Sequence, residues 1–72
     1  MEEKITAWVA RDEDGGLYIH TLEPNKEKDF WIGLGDNLVI DRHLFPQVKW
    51  EDKEPTKVDL TIKICGWYEN NR

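Results

Sequence analysis

This 72-residue chain has one cysteine, two histidines and no long apolar run, and these shortages exclude several chemistries at once. A single thiol, Cys65, rules out a disulfide within the chain. Together with His20 and His43 it gives none of the paired spacings that structural zinc sites use, so no metal or other cofactor is expected. A bilayer span needs roughly 20 consecutive apolar residues, and none is present. The opening Met1-Glu2-Glu3-Lys4-Ile5 has no basic stretch leading into an apolar one, so no signal peptide is expected. A cytoplasmic location agrees with the lone thiol.

Positive charge is also scarce. Ten basic residues against 15 acidic ones leave a net charge of −5, which repels phosphate backbones and anionic membranes. Neither nucleic acid nor membrane is expected as a partner. The acids are interleaved with lysines and form no block of the kind that imitates a nucleic acid. Gly33-Leu34-Gly35-Asp36 has no helix after it whose amides could receive a phosphate, so it reads as a turn. The carboxylate runs Asp12-Glu13-Asp14 and Glu51-Asp52-Lys53-Glu54 fall in turns, and no histidine is placed within reach of Cys65, so no catalytic residue is assigned and an enzyme is not expected.

The length allows one domain, residues 1–72. A domain this small buries only about 60% of the surface its unfolded chain exposes, so its core is thin and self-association is a common supplement.

What remains is strand-forming. In KITAWVA, residues 4–10, Ile5, Ala7 and Val9 share one parity; in LYIHTL, residues 17–22, Leu17 and Ile19 do the same. Arg11-Asp12-Glu13-Asp14-Gly15-Gly16 between them predicts a hairpin turn. Pairing the two apolar sets requires partner numbers with an even sum, so Val9 stands opposite Ile19, Trp8 opposite His20 and Ala10 opposite Tyr18. The hairpin is then apolar on both faces.

Residues 23–29 read as a polar connection. Phe30 to Leu34 reads as a third strand with Phe30, Ile32 and Leu34 on the core side, and Leu38-Val39-Ile40 as a fourth. Asp41 to Pro46 predicts one turn of helix, capped by Asp41 and ended by Pro46, with Leu44 and Phe45 plugging one end of the sheet. Residues 56–65 alternate cleanly, with Val58, Leu60, Ile62 and Ile64 against Lys57, Asp59, Thr61 and Lys63. The fold class is therefore all-β: a small curled antiparallel sheet or open barrel of about five strands with one short helical turn. Strand order beyond the first hairpin is left open.

Four tryptophans and two tyrosines exceed what one small core requires. Trp8 and Tyr18 lie on the second face of the hairpin with His20, Trp31 lies opposite the core parity of its strand, and Trp50 sits between Pro46 and Pro55 as a lid with Val48 beneath. These five, Trp8, Tyr18, His20, Trp31 and Trp50, are the candidate binding residues. Three uses of the surplus stand open. The C-terminal Trp67-Tyr68 and the Trp50 loop bury the second face within one chain, a homo-oligomer packs through it, or it forms a platform for a ligand or a foreign protein.

The blocks WVARDEDGGLYIHTLEP and LFPQVKWEDKEPTKVDL resemble small uncharacterised proteins of gut bacteria and their phages, which share a W-V-A-R-D-x-D-G-x-L-Y hairpin and an L-F-P-x-V-x-W-E-D-x-E-P-T-x-V-x-L ending. The resemblance spans most of residues 7–62 and implies no catalytic residue. It implies a phage or mobile-element accessory protein, a class that commonly acts by occupying a host protein or by sequestering a small signalling molecule. The aromatic residues suit the second use as a small nucleotide-like ligand stacked on Trp8, Trp31 or Trp50 at a subunit interface.

Overall fold

The computed structural model describes residues 2–64, in six strands: β1 (Glu2–Arg11), β2 (Leu17–His20), β3 (Asn25–Lys26), β4 (Trp31–Ile32), β5 (Asn37–Ile40) and β6 (Thr56–Lys63). Strands β5, β2, β1 and β6, in that order, make an open antiparallel sheet, and β3 and β4 make a separate two-stranded ribbon. The protein is all-β, and among the described residues no helix forms, so none is long and apolar enough to cross a membrane.

The first hairpin has the register that parity requires: Val9 faces Ile19, Trp8 faces His20, and Ala10 faces Tyr18. Its turn closes through Asp12 N–H to Gly16 O (2.8 Å) and Gly15 N–H to Asp12 O (2.9 Å). Gly15 sits at φ +93°, a conformation a side chain disfavours, and the Asp14 carboxylate accepts the Gly16 N–H at 2.8 Å. On the other side of β1, Ile5 faces Leu60 and Ala7 faces Val58 in β6, and Ile40 of β5 faces Leu17. One sheet face thus carries Ile5, Ala7, Val9, Leu17, Ile19, Ile40, Val58 and Leu60. Val9, Leu17 and Val48 are its buried centre, with Ile19, Ile40 and Val58 packed against them.

This face is covered only over the half nearest the hairpin turn. The cover is the connection from residue 41 to 55, which inserts Val48 onto Val9 and Leu17. Beyond it, Ile62 and Ile64 are 50% and 44% exposed. The long pairing of β1 with β6 continues past the end of β2 as a two-stranded arm, and the molecule is accordingly elongated, at 50 × 23 × 17 Å.

The helical turn predicted at 41–46 does not form. Asp41 does act locally, accepting the His43 N–H on its carboxylate (2.8 Å) and the Leu44 N–H on its carbonyl (3.0 Å). Pro46 then disfavours a helical Phe45, which instead turns to φ +49°. The carbonyls of Arg42 and Leu44 accept from the Arg11 guanidinium, and that of Phe45 accepts both from it and from the Val48 N–H (2.9 Å) of the following turn, so no helical ladder is built. Leu44 and Phe45 are exposed, so Val48 fills the place expected for them.

The middle of the chain also differs from expectation. The third strand shrinks to Trp31–Ile32 and pairs with Asn25–Lys26, inside what reads as a polar connection. Its faces are inverted. Trp31 is 5% exposed, whereas Phe30, Ile32 and Leu34 are open to solvent, Leu34 at 99%. Tryptophan is the bulkiest apolar group available and brings an N–H that needs an acceptor, and the Arg11 carbonyl supplies one at 3.1 Å.

Candidate functional site

The two faces of the first hairpin are finished by two different connections, and both are anchored on Arg11. Its side chain shares parity with Val9 and reaches over the first face. There it donates to Val48 O (2.7 Å), Gly15 O (2.8 Å), Arg42 O (2.9 Å), Leu44 O (3.0 Å) and Phe45 O (3.1 Å). All the N–H donors of the guanidinium are engaged, in a planar fork that a lysine lacks. This side chain makes four of the hydrogen bonds that hold the covering loop, beside those from Lys26 and Arg42.

The second face carries Trp8, Ala10, Tyr18 and His20, and the excursion from residue 21 to 36 crosses it. At the near end, the Thr21 N–H donates to Asp36 O (3.0 Å), and the Asp36 N–H donates to the Thr21 hydroxyl oxygen (2.9 Å). At the far end, the Glu13 N–H donates to Asp29 O (3.1 Å), and the Trp31 N–H donates to the Asp12 carboxylate (2.9 Å). Between these anchors Trp31 packs down, and Ala10 and His20 are buried. The centre of the second face is therefore buried, beneath an excursion whose own buried side chain is Trp31. Of the three uses left open for this face, burial within one chain named Trp50 and the C-terminal Trp67-Tyr68 as its agents, and the latter pair, like Cys65, lies outside the described residues.

Of the five candidate binding residues, Trp31 and His20 are interior, and Trp8, Tyr18 and Trp50 are half-buried. Trp50 is engaged from above by Lys26, whose ammonium lies 4.1 Å from the indole centroid and donates to the carbonyls of Trp50 and, at 3.0 Å, Asp52. The same ammonium is 5.7 Å from the Trp31 ring, so Lys26 links the covers of the two faces. Neither Arg11 nor Lys26 was singled out by sequence reasoning. Arg11 does carry one readable sign, a charged residue at the core parity of a strand end.

His20 is 2% exposed and packs beside Tyr18, with ring centroids 6.3 Å apart, and its Nε2 has no hydrogen-bond partner. Burial lowers its pKa, and the nearby Asp12 charge opposes this only in part. Burial likewise raises the pKa of Asp12, against the lowering effect of the Trp31 N–H. The sign for His20 follows: the unfolded chain takes up a proton as pH falls through about 6.5, while the folded chain resists until lower pH, so stability declines across that interval. We expect the urea midpoint to drop between about pH 7.5 and 5.5, and His20→Phe, which removes the titrating group, to flatten that drop. Superimposable pH profiles for the two proteins would show that His20 is not the group responsible.

The outside carries concavities among the described residues, of which three bear on function. On the second face, Asp12, Tyr18, Phe30, Trp31, Ile32 and Asn37 enclose about 420 Å³. Adjoining it through Ile32, a groove of about 280 Å³ is lined by Leu22, Glu23, Asn25, Gly33 and Leu34. Val39, directly opposite Tyr18 in β5, is also exposed. The third is a cleft of about 500 Å³ beside Trp50, where Arg42, His43 and Lys49 are mixed with Glu13 and Glu51, so it has no charge of one sign to select a ligand. Among the described residues no three His, Cys, Asp or Glu side chains gather as a metal site would require. Comparison with protein-family models, curated proteins and solved structures gives no match.

Proposed function

We propose that the protein is a non-enzymatic binding module, a cytoplasmic accessory protein of the phage or mobile-element type, that docks on a host protein through the outer side of its second face. One observation carries this reading. Tyr18, Phe30, Ile32, Leu34 and Leu22 are apolar side chains around two adjoining concavities, with exposed Val39 paired to Tyr18 at their border and Trp31 buried among them. Monomeric proteins seldom leave apolar groups so grouped unless something covers them. An aromatic centre with exposed aliphatic neighbours is the composition that protein interfaces favour.

The binding surface differs from the expected set of five. Tyr18 remains in it, Trp31 supports it from below, and Phe30, Ile32 and Leu34 replace the buried His20.

The test is affinity capture from host extract with the wild-type chain, Ile32→Asp, and Leu44→Ser as an exposed apolar control on the opposite side. The reading expects one host protein, in fixed proportion, with wild type and Leu44→Ser, and at least a tenfold loss with Ile32→Asp, since truncating an interface anchor costs more than about 1.4 kcal/mol. Equal recovery by all three proteins would overturn it.

A further inference from the structure

The sheet ends on β6, whose outer edge pairs with no other strand among the described residues. Residues 58–63 of β6 pair on their inner side with residues 2–7 of β1, beyond the reach of β2, so this part of the molecule is an isolated two-stranded arm. Such ribbons are marginal alone in water. The arm also bears Ile5, Ile62 and Ile64 exposed on its apolar side. A long edge strand that is apolar on one side and contains no proline is a template for another strand.

We infer that β6 pairs antiparallel with β6 of a second copy about a two-fold axis at Thr61, giving one continuous eight-stranded sheet in which each copy contributes the order β5-β2-β1-β6. The occupant and the register both follow from the order of side chains. Keeping the two apolar sides together requires an even sum of partner numbers. Centring on Thr61 sets Leu60 against Ile62 and Val58 against Ile64 on the apolar side, and Asp59 against Lys63 on the polar side, each pair occurring twice.

The neighbouring registers fail on charge or backbone. Centring on Asp59 opposes two aspartates, and centring on Leu60 opposes Lys57 with Lys63. Centring on Ile62 leaves Asp59 without a cation. Centring on Val58 brings Pro55, which has no N–H, into the ladder and sets Glu54 against Ile62. Cross-strand charge pairs stabilise and like charges oppose, so one register is selected. This pairing uses an edge, not the second face, and does not depend on what that face binds.

Within the chain Thr61 stands opposite Lys4. Thr61→Glu therefore gains a favourable partner in its own β1 while placing two glutamates together at the two-fold, which separates loss of the dimer from loss of the fold. Light scattering after size exclusion at tens of micromolar should give wild type twice the chain mass of 8.6 kDa and Thr61→Glu that mass once, with unchanged circular dichroism. In a Cys65→Ser background, Thr61→Cys should oxidise to a covalent dimer, because directly opposed strand residues lie roughly 4.5–5.5 Å apart, within disulfide reach. Asp59→Cys in the same background should not, since its partner is Lys63. Overturning outcomes are a wild-type monomer, a dimer that survives Thr61→Glu, and crosslinking at 59 in place of 61.

Discussion

Replacing Arg11 with methionine is expected to lower the folding free energy by about 3 kcal/mol, from the loss of two part-buried charge-assisted hydrogen bonds at about 1.5 kcal/mol each. Those two are the bonds to Val48 O and Gly15 O; the Arg42, Leu44 and Phe45 carbonyls are exposed and can turn to water. Methionine keeps most of the apolar stem, so the loss reports the guanidinium rather than packing. A domain of this size has only a few kcal/mol in total, so the variant should be largely unfolded or have lost the 41–55 cover. Arg11→Lys should recover little, because a single ammonium cannot reach carbonyls that a planar fork spans. Urea titration followed by circular dichroism, with limited proteolysis to locate cleavage, measures both effects. A change below about 0.5 kcal/mol, the range of ordinary surface substitutions, would show that the loop is held by something else.

Trp31→Ala should have a larger effect, about 3–5 kcal/mol, as expected when a buried aromatic is truncated in a core that cannot collapse around the gap. It uncovers Ala10 and His20 and removes the donor to the Arg11 carbonyl. Trp31→Phe separates these terms: the ring is largely kept, the N–H is lost, and about 1 kcal/mol should go with it. Thermal melts of the three proteins give the ordering wild type, Phe, Ala. An alanine variant as stable as wild type would mean that the excursion from 21 to 36 does not cover the second face.

Much of the sheet was legible in the sequence because it rests on alternation. Val9 and Ile19 face each other since the other parity would split the aliphatic set Ile5, Ala7 and Val9 from Leu17 and Ile19, and the Asp-Glu-Asp-Gly-Gly turn fixes where the chain reverses. Strand β6 was legible for the same reason, although Ile62 and, just past its end, Ile64 lie outside the core. The middle was not. Phe30-Trp31-Ile32 is apolar throughout, so period two gives no preference for either face. The choice was made by something local pattern does not carry, a free carbonyl on Arg11 at the position where the Trp31 indole arrives.

The candidate site was half legible for a related reason. Parity brought Trp8, Tyr18 and His20 to one face and raised the question of what hides it, but the answer depends on contacts far apart in sequence. Trp31 reaches Asp12, and Lys26 reaches Trp50. At 41–46 the helical turn that Asp41 was expected to cap does not form: its carboxylate accepts the His43 N–H in a local turn, and the Arg42 and Leu44 carbonyls turn to Arg11.

The central claim is that Trp31, hydrogen-bonded to the Arg11 carbonyl, seals the second face of the first hairpin. Hydrogen exchange at the indole N–H groups, followed by two-dimensional NMR after transfer to heavy water, tests it directly. The Trp31 indole signal, identified by its disappearance in Trp31→Phe, should persist at the protection of the sheet amides of Val9 and Ile19. Its loss within the dead time, while those amides remain protected, would contradict the account.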